Sequence, residues 1–140
     1  MTIQEIENQI IEEFENFEDW MDKYNYIIEM GRECPMIDEK DKTENNLIKG
    51  CQSRVWFSAN LVDGKIVFKA DSDAVITKGI AYLLIRVLNN QTPKDIVNAD
   101  LSFIEKIGLK EHLSPTRSNG LTAMLKQIKL YALAYTTMEG

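Results

Sequence analysis

The chain has few of the residues that hold metals and disulfides. Among 140 residues there are two cysteines, Cys34 and Cys51, and one histidine, His112. Two cysteines are too few for a disulfide framework, and free thiols are normal in a reducing compartment. A single histidine provides none of the paired spacings that are typical of zinc sites. We therefore expect no disulfide framework and no metal held by this chain alone.

Long apolar runs and an excess of positive charge are also missing. No stretch approaches the roughly 18 apolar residues that span a bilayer. The amino terminus is acidic and lacks the basic region of a signal peptide. The net charge is −6, whereas nucleic-acid-binding proteins usually present a basic face. These absences predict a cytoplasmic protein that binds neither membranes nor nucleic acid.

The composition is that of one globular domain, residues 1–140, with 44% hydrophobic and 27% charged residues. Its charge is uneven. Residues 1–45 carry fourteen Asp and Glu against four Lys and Arg, and residues 46–140 carry eight against twelve. The half that contains Cys51 is therefore locally basic, which favours a bound anion or a thiolate.

Hydrophobic periodicity predicts most of the helices. An apolar stripe covers residues 2–17, where Thr2 and Glu5 form a capping-box pattern. A second helix, 19–30, is expected to end at Gly31 as its C-terminal cap. The segment 73–89 is apolar nearly all round and predicts a buried central helix, with Asp71 and Asp73 supplying its N-cap and first-turn acids. Further helices are predicted at 92–97, 100–107 and from 114–118 onward.

The clearest local signal is a β-hairpin. Asp63-Gly64 is typical of a type I′ turn, and outward pairing sets Leu61 opposite Ile66. The same register places Ala59 opposite Phe68 and Phe57 opposite Ala70, all on one face. Residues 38–45 predict a solvated connector, followed by a short edge strand at 47–48. The predicted class is α+β, with helices packed on one face of a small antiparallel sheet.

The loop before this hairpin contains the candidate nucleophile. Gly50 favours a tight turn immediately before Cys51, and Lys49 and Arg54 provide positive charge that would favour the thiolate. The alternative interpretation is structural, because free cysteines are often small buried apolar residues. The residues alone leave both interpretations open.

Four sequence blocks resemble the SufE/CsdE family of sulfur acceptors. They occur in order over nearly the whole chain: Trp20-x-x-Lys23-Tyr24-x-x-Ile27-Ile28-Glu29-x-Gly31, Gly50-Cys51-Gln52-Ser53-x-Val55-Trp56, Asp71-Ser72-Asp73-Ala74-x-x-x-Lys78-Gly79 and His112-Leu113-Ser114-Pro115-Thr116-Arg117-Ser118-x-Gly120. The resemblance implies a SufE/IscU-like fold. It also implies that Cys51 takes sulfur from a cysteine desulfurase as a persulfide and stimulates that enzyme.

The resemblance further implies partners and cofactors. The donor would be a desulfurase of the SufS or CsdA type, and the acceptor an iron–sulfur scaffold of the SufBCD type. Pyridoxal phosphate would be bound by the desulfurase, and this chain would need no cofactor. Which desulfurase is the donor, what the final acceptor is, and whether the chain forms a homodimer stay open.

The family blocks also suggest roles for other residues. Lys49, Gly50, Gln52 and Ser53 would form the active loop around Cys51, and Arg117 would contact the desulfurase. Asp73 either caps a helix or influences how the loop is held. His112 is a base near Cys51, a residue bonded to a helix end, or, like Asp73 and Arg117, a residue that binds the partner or supports the loop. Cys34 is predicted to lie in a loop, since proline follows it. It is interpreted as a filler thiol, because the family blocks do not call for a cysteine there.

Two other functions are compatible with the residues. A stand-alone thiol enzyme, such as a peroxidase or thiol transferase, requires a resolving cysteine or a base, for which Cys34 and His112 are loose candidates. An iron–sulfur scaffold generally requires several cysteine ligands, and two cysteines with one histidine are a poor set.

Overall fold

The computed structural model describes the backbone of residues 1–139 and the side chains of residues 1–137. It has a two-stranded antiparallel sheet and seven α-helices within this range, which confirms the α+β class. The elements are α1 (Ile3–Glu15), α2 (Trp20–Gly31), β1 (Val55–Val62), β2 (Lys65–Ser72), α3 (Val75–Leu88), α4 (Pro93–Asn98), α5 (Phe103–Lys106), α6 (Leu109–His112) and α7 (Pro115–Glu139). Within residues 1–139, no helix combines the length and apolar character needed to cross a bilayer.

The hairpin has the predicted register and turn. Leu61 pairs with Ile66 across the two strands, as expected from the central dipeptide. Asp63 (φ 53°) and Gly64 (φ 80°) both adopt the positive φ of a type I′ turn. The predicted edge strand is reduced to a single bridge between Leu47 and Trp56, so it adds no third strand. Ser58 lies on the other face of the hairpin and is only 8% exposed, so that face is partly covered.

The amino-terminal helices begin where their caps predict. Thr2 and Glu5 form the reciprocal capping box of α1, and the Asp19 carboxylate caps α2. The prediction for Gly31 is wrong. It lies inside α2, and the cap is Arg32 in ordinary right-handed geometry. A Cβ on Gly31 would lie 2.9 Å from the Gly79 nitrogen, so this glycine permits α2 and α3 to approach closely.

The central helix α3 is buried along most of its length, as its apolar sequence predicts. Its start was predicted wrongly. The helix begins at Val75 with Ala74 as N-cap, and no side chain caps it. Asp71 and Ser72 belong to β2 instead, because the hairpin continues its pairing as far as Val55 opposite Ser72. The tertiary pairing therefore extends the strand at the expense of the helix.

The C-terminal part contains α4 to α7, and α7 packs against α4 and α3. The helix predicted at 100–107 is shortened to α5, because Leu101 (φ 55°) adopts a left-handed conformation before it. Gly108 (φ 74°) follows α5 and is the N-cap of α6. Two tyrosine hydroxyls of the long helix α7 donate hydrogen bonds to β1. Tyr131 donates to the Phe57 carbonyl at 3.3 Å and Tyr135 donates to the Ala59 carbonyl at 2.7 Å.

The charged connector contains two short 3₁₀ turns, Glu39–Asp41 and Glu44–Asn46. It is attached to the sheet through Lys42, whose ammonium lies 2.7 Å from the Asp71 carboxylate and 5.4 Å from the centre of the Trp56 ring. The connector therefore lies against the base of the hairpin, and the Cys51 loop follows it in the chain.

Candidate functional site

Cys51 lies in the loop between the charged connector and β1. Gly50 precedes it with φ 93°, a conformation that side chains other than glycine rarely adopt, so the predicted tight turn is present. The Cys51 side chain is turned toward the first part of α7. Its sulfur lies 3.6 Å from the Gly120 carbonyl oxygen and is half-buried. The loop thus holds the thiol against the protein in this structure.

Gly120 is a site residue to which the sequence analysis gave no role. A Cβ at this position would lie 3.3 Å from the Cys51 sulfur, a distance tighter than most real Cβ contacts. The absence of a side chain at Gly120 therefore lets the Cys51 sulfur approach the backbone of α7 closely. The glycine's position in the sequence block from His112 to Gly120 was the one available signal. The residue that a helical glycine contacts cannot be predicted without the fold.

A cavity of about 370 Å³ opens beside the thiol. Its walls come from three parts of the chain. The loop contributes residues 51–53, α3 contributes Thr77 and Ile80, and the start of α7 contributes polar positions followed by two apolar ones: Ser114, Thr116, Arg117, Gly120 and Met124. Gln52, Ser53 and Arg117 were predicted from sequence, whereas the α3 wall was not. The arrangement gives Cys51 a sheltered space larger than one sulfur atom.

The predicted effect of the neighbouring cations on the resting thiol is wrong. Lys49 is exposed, and its ammonium lies 3.9 Å from the Glu44 carboxylate. Neither Lys49 nor Arg54 lines the cavity. Burial raises the pKa of the Cys51 thiol, and no charged group offsets this. Because the pKa is raised, the resting side chain is mainly the neutral thiol, which donates weakly to the Gly120 carbonyl.

Asp73 holds the exit of the loop and does not cap α3. Its carboxylate accepts a hydrogen bond from the Arg54 amide at 3.1 Å, and its own amide donates to the Arg54 carbonyl at 3.2 Å. The helix-capping interpretation is wrong because α3 starts two residues later, with Ala74 as its N-cap. The pair instead joins the end of the Cys51 loop to the end of β2.

The sequence matches a known protein family over most of its length. A model of the family described as "SufE: Fe-S metabolism associated domain" matches residues 8–132. The chain belongs to the SufE family. Cys51 and the loop around it lie within the matched range, as do Asp73 and Arg117. Membership associates the chain with sulfur transfer in iron–sulfur metabolism.

A solved structure has a similar fold. A hypothetical protein from Thermus thermophilus, determined in solution, is similar with a TM-score of 0.78 and 22% sequence identity. The match covers 94% of this chain and 96% of the Thermus chain. At this identity the similarity shows a shared fold.

His112 is engaged away from the Cys51 cavity. Its ring stacks on Trp20 with centroids 4.0 Å apart, and its Nδ1 lies 2.9 Å from the Gly108 carbonyl oxygen. The imidazole is not among the residues that line the cavity. This geometry agrees with the helix-end interpretation and not with a base for Cys51. A role in partner binding stays a prediction.

Cys34 lies in the loop after α2, as predicted, and it is buried there. Its sulfur contacts the carbonyl oxygens of Pro35 (3.7 Å) and Ala70 (3.9 Å), and it is 7% exposed. Burial raises the pKa of its thiol to about 11. Both cysteines are free, and Cys34 does not line the Cys51 cavity. A protonated, buried thiol is unreactive, which agrees with the structural interpretation of Cys34.

Among the side chains of residues 1–137, no three His, Cys, Asp or Glu lie close enough together to hold a metal ion. That the protein works without a metal or other cofactor stays a prediction.

Proposed function

We propose that Cys51 accepts sulfur from a cysteine desulfurase of the SufS or CsdA type, stimulates that enzyme, and passes the sulfur to an iron–sulfur scaffold of the SufBCD type. The chain then acts in the cytoplasm as a sulfur-transfer accessory protein, and not as a free-standing enzyme. Pyridoxal phosphate belongs to the desulfurase, and this chain needs no cofactor. Homodimer formation is compatible with this role but not required by it.

The observation that carries the proposal is the half-buried Cys51 thiol beside a cavity of about 370 Å³. A sulfur carrier must expose its thiol to a donor and then protect the product from stray thiols. Cys51 lies on a loop that begins with Gly50 at positive φ, and glycine is the residue whose backbone rotation is least restricted. The cavity offers the space that an added sulfur atom requires.

The transfer step is a thiol–disulfide type of exchange. The Cys51 thiol loses its proton, and the thiolate attacks the terminal sulfur of the desulfurase persulfide. The sulfur–sulfur bond of the donor breaks, its cysteine leaves as a thiolate, and a new sulfur–sulfur bond forms at Cys51. No oxidant or reductant is consumed, because sulfane sulfur is moved from one cysteine to the other.

The resting structure requires a change before this step. The Cys51 sulfur lies against Gly120 and burial raises its pKa, so attack requires the loop to leave the cavity. Partner binding near Arg117 is suited to this change, because Arg117 is exposed at the cavity rim. In the proposal, Arg117 contacts the desulfurase, and loop extension both exposes the thiol and lowers its pKa by hydration.

The stand-alone thiol enzyme is less favoured than the sulfur carrier. Its resolving cysteine would be Cys34, whose buried thiol has its pKa raised to about 11. Its base would be His112, whose ring is occupied by Trp20 and Gly108. Neither residue lines the cavity with Cys51.

The test incubates the protein with a desulfurase and free cysteine and then measures intact and peptide masses. We expect one added sulfur on the peptide that bears Cys51. Cys51→Ser should fold, accept no sulfur and fail to stimulate the desulfurase, whereas the matched Cys34→Ser variant should retain both properties. Loss of transfer in Cys34→Ser with retention in Cys51→Ser would reverse the assignment. Parallel reactions with SufS-type and CsdA-type enzymes identify the preferred donor.

A further inference from the structure

The first turns of two long helices meet at the Cys51 cavity. Thr77 is the third residue of α3, and Thr116 and Arg117 are the second and third residues of α7; all three line the cavity. The N-terminal turn of a helix carries a partial positive charge and amides that lack helical partners. At α3 no side chain caps these amides within the described residues. The cavity therefore combines two helix ends that favour an anion.

Thr77 is an independent sign that a ligand belongs in this space. The residue is only 8% exposed, and over residues 1–137 its hydroxyl makes no hydrogen bond with another side chain or with the backbone, although the oxygen itself is open to the cavity. The threonine hydroxyl at position 122, by contrast, donates back to the Ser118 carbonyl of its own helix. A hydroxyl that faces a cavity is paired there by water or by a ligand. A hydrogen-bond acceptor inside the cavity would satisfy Thr77.

The resting thiol does not provide that acceptor. The neutral Cys51 thiol is a donor and is directed at the Gly120 carbonyl. A persulfide differs in both respects: its terminal sulfur lies one bond farther from the cysteine, and it ionises more readily than a thiol. The ionised terminal sulfur is an acceptor that carries negative charge.

We infer that Thr77 is a positioning residue for the loaded protein, and that its hydroxyl donates a hydrogen bond to the terminal sulfur of the Cys51 persulfide between the first turns of α3 and α7. This inference rests on the proposed function. In this inference, Thr77 on the α3 side of the cavity holds the sulfur after transfer. The same cavity then shelters a neutral thiol before loading and an anion after loading. Arg117 is the one charged side chain among the described residues that line the cavity, and its sign favours the same anion.

The test compares Thr77→Val, which keeps the shape and removes the hydroxyl, with Thr77→Ser, which restores a hydroxyl. Thr122→Val is the matched control, because Thr122 is exposed and does not line the cavity. All proteins also carry Cys34→Ala, so that Cys51 is the single thiol. Cys51 is loaded with inorganic polysulfide, whose terminal sulfane sulfur transfers to the thiolate and leaves a polysulfide shorter by one sulfur. The persulfide is then titrated through the near-ultraviolet absorbance of its anion.

We expect Thr77→Val to raise the pKa of the persulfide by about one unit, a roughly tenfold loss in its acid dissociation constant, because a hydrogen bond to the charged form is removed. Thr77→Ser should restore the value to within about threefold, and Thr122→Val should leave it unchanged. Thr77→Ala is a second hydroxyl-free variant that should behave as Thr77→Val does. A structural role alone would shift the unfolding midpoint and leave the persulfide pKa of the folded protein unaltered.

An unchanged persulfide pKa in Thr77→Val overturns the inference, and so does failure of polysulfide to load Cys51. The experiment with a desulfurase and free cysteine is independent of this result. If wild-type protein loads with polysulfide but takes no sulfur from any desulfurase, the proposed relay is refuted while the Thr77 contact is still decided by the titration.

Discussion

The Asp73 carboxylate accepts a hydrogen bond from the Arg54 amide at 3.1 Å, and the Arg54 carbonyl accepts one from the Asp73 amide at 3.2 Å. This reciprocal pair closes the base of the hairpin three residues after Cys51. It is the point at which the loop becomes part of the sheet. Because Asp73 is exposed, the pair is open to competition from water.

Replacing Asp73 with Ala should loosen the Cys51 loop. Loss of one hydrogen bond to a charged acceptor should cost about 1 kcal/mol of stability and raise the alkylation rate of Cys51 by about three- to tenfold. The rate is measured by iodoacetamide labelling followed by peptide mass analysis. Asp73→Asn is the control, because its side-chain oxygen still accepts from Arg54, and it should stay close to wild type. Equal labelling of Asp73→Ala and wild type would show that this contact does not restrain the loop.

Labelling of the two cysteines should differ in its pH dependence. Burial raises the pKa of Cys51, and it raises the pKa of Cys34 to about 11. The thiolate is the reacting form, so Cys51 labelling should rise with pH through a midpoint above the value of about 8.5 for a free cysteine. Cys34 should stay slow across the range in which the protein remains folded. A Cys51 midpoint near or below about 7 in the free protein would contradict the neutral resting thiol.

The fold was predictable where neighbouring residues determine it. The Asp63-Gly64 turn and the alternating apolar positions specify the hairpin register, and Thr2 and Glu5 specify the start of α1, because these signals act within a few residues. The predictions failed where a distant segment decides. The role of Gly31 depends on Gly79 across a helix contact, and the start of α3 depends on how far β2 pairs with β1.

The site shows the same division. Gly50 and Cys51 were identifiable from the loop and from the family blocks. The cavity wall was not, because Thr77 and Gly120 meet Cys51 only after α3 and α7 pack beside the hairpin. The prediction that Lys49 favours the Cys51 thiolate failed for a related reason. Lys49 is near Cys51 in sequence, but its ammonium lies beside the Glu44 carboxylate and not beside the thiol.

The contact between α2 and α3 should tolerate no side chain at Gly79. A Cβ there would lie 2.3 Å from the Ile27 carbonyl oxygen and 2.6 Å from the Ile27 Cγ2. Alanine is the better helix former by about 1 kcal/mol, so propensity alone predicts stabilisation. Steric overlap with backbone should outweigh this, and we expect Gly79→Ala to lower the free energy of unfolding by about 3 kcal/mol or more in urea titrations.

Gly31→Ala is the graded comparison for Gly79→Ala. Its Cβ would lie 2.9 Å from the Gly79 nitrogen, a milder overlap, so a smaller loss of stability is expected. Stabilisation by Gly79→Ala would mean that the two helices are not in close contact in solution.

Glu7 is a carboxylate on the buried side of α1. It is 2% exposed, and its Oε1 has no hydrogen-bond partner within the described residues. Burial raises the pKa of Glu7, nearby Asp100 acts in the same direction, and the Phe103 amide and Lys106 offset part of the increase. Since the folded pKa lies above the unfolded one, ionisation of Glu7 opposes folding. Its contribution to stability is greatest below the unfolded pKa, about 4.3, and is lost as pH rises through the folded pKa.

Glu7→Gln should therefore stabilise the protein at pH 7 by about 1 kcal/mol, because it removes the buried charge and keeps the shape of the side chain. The gain should shrink as the pH is lowered and vanish near about pH 4, where both proteins carry a neutral group. Urea unfolding at several pH values measures the difference. Glu12→Gln, on the exposed side of the same helix, is the control and should change stability by less than about 0.5 kcal/mol. A gain for Glu7→Gln that did not depend on pH would assign the effect to packing, and a loss at pH 7 would show that the Glu7 carboxylate is paired in solution.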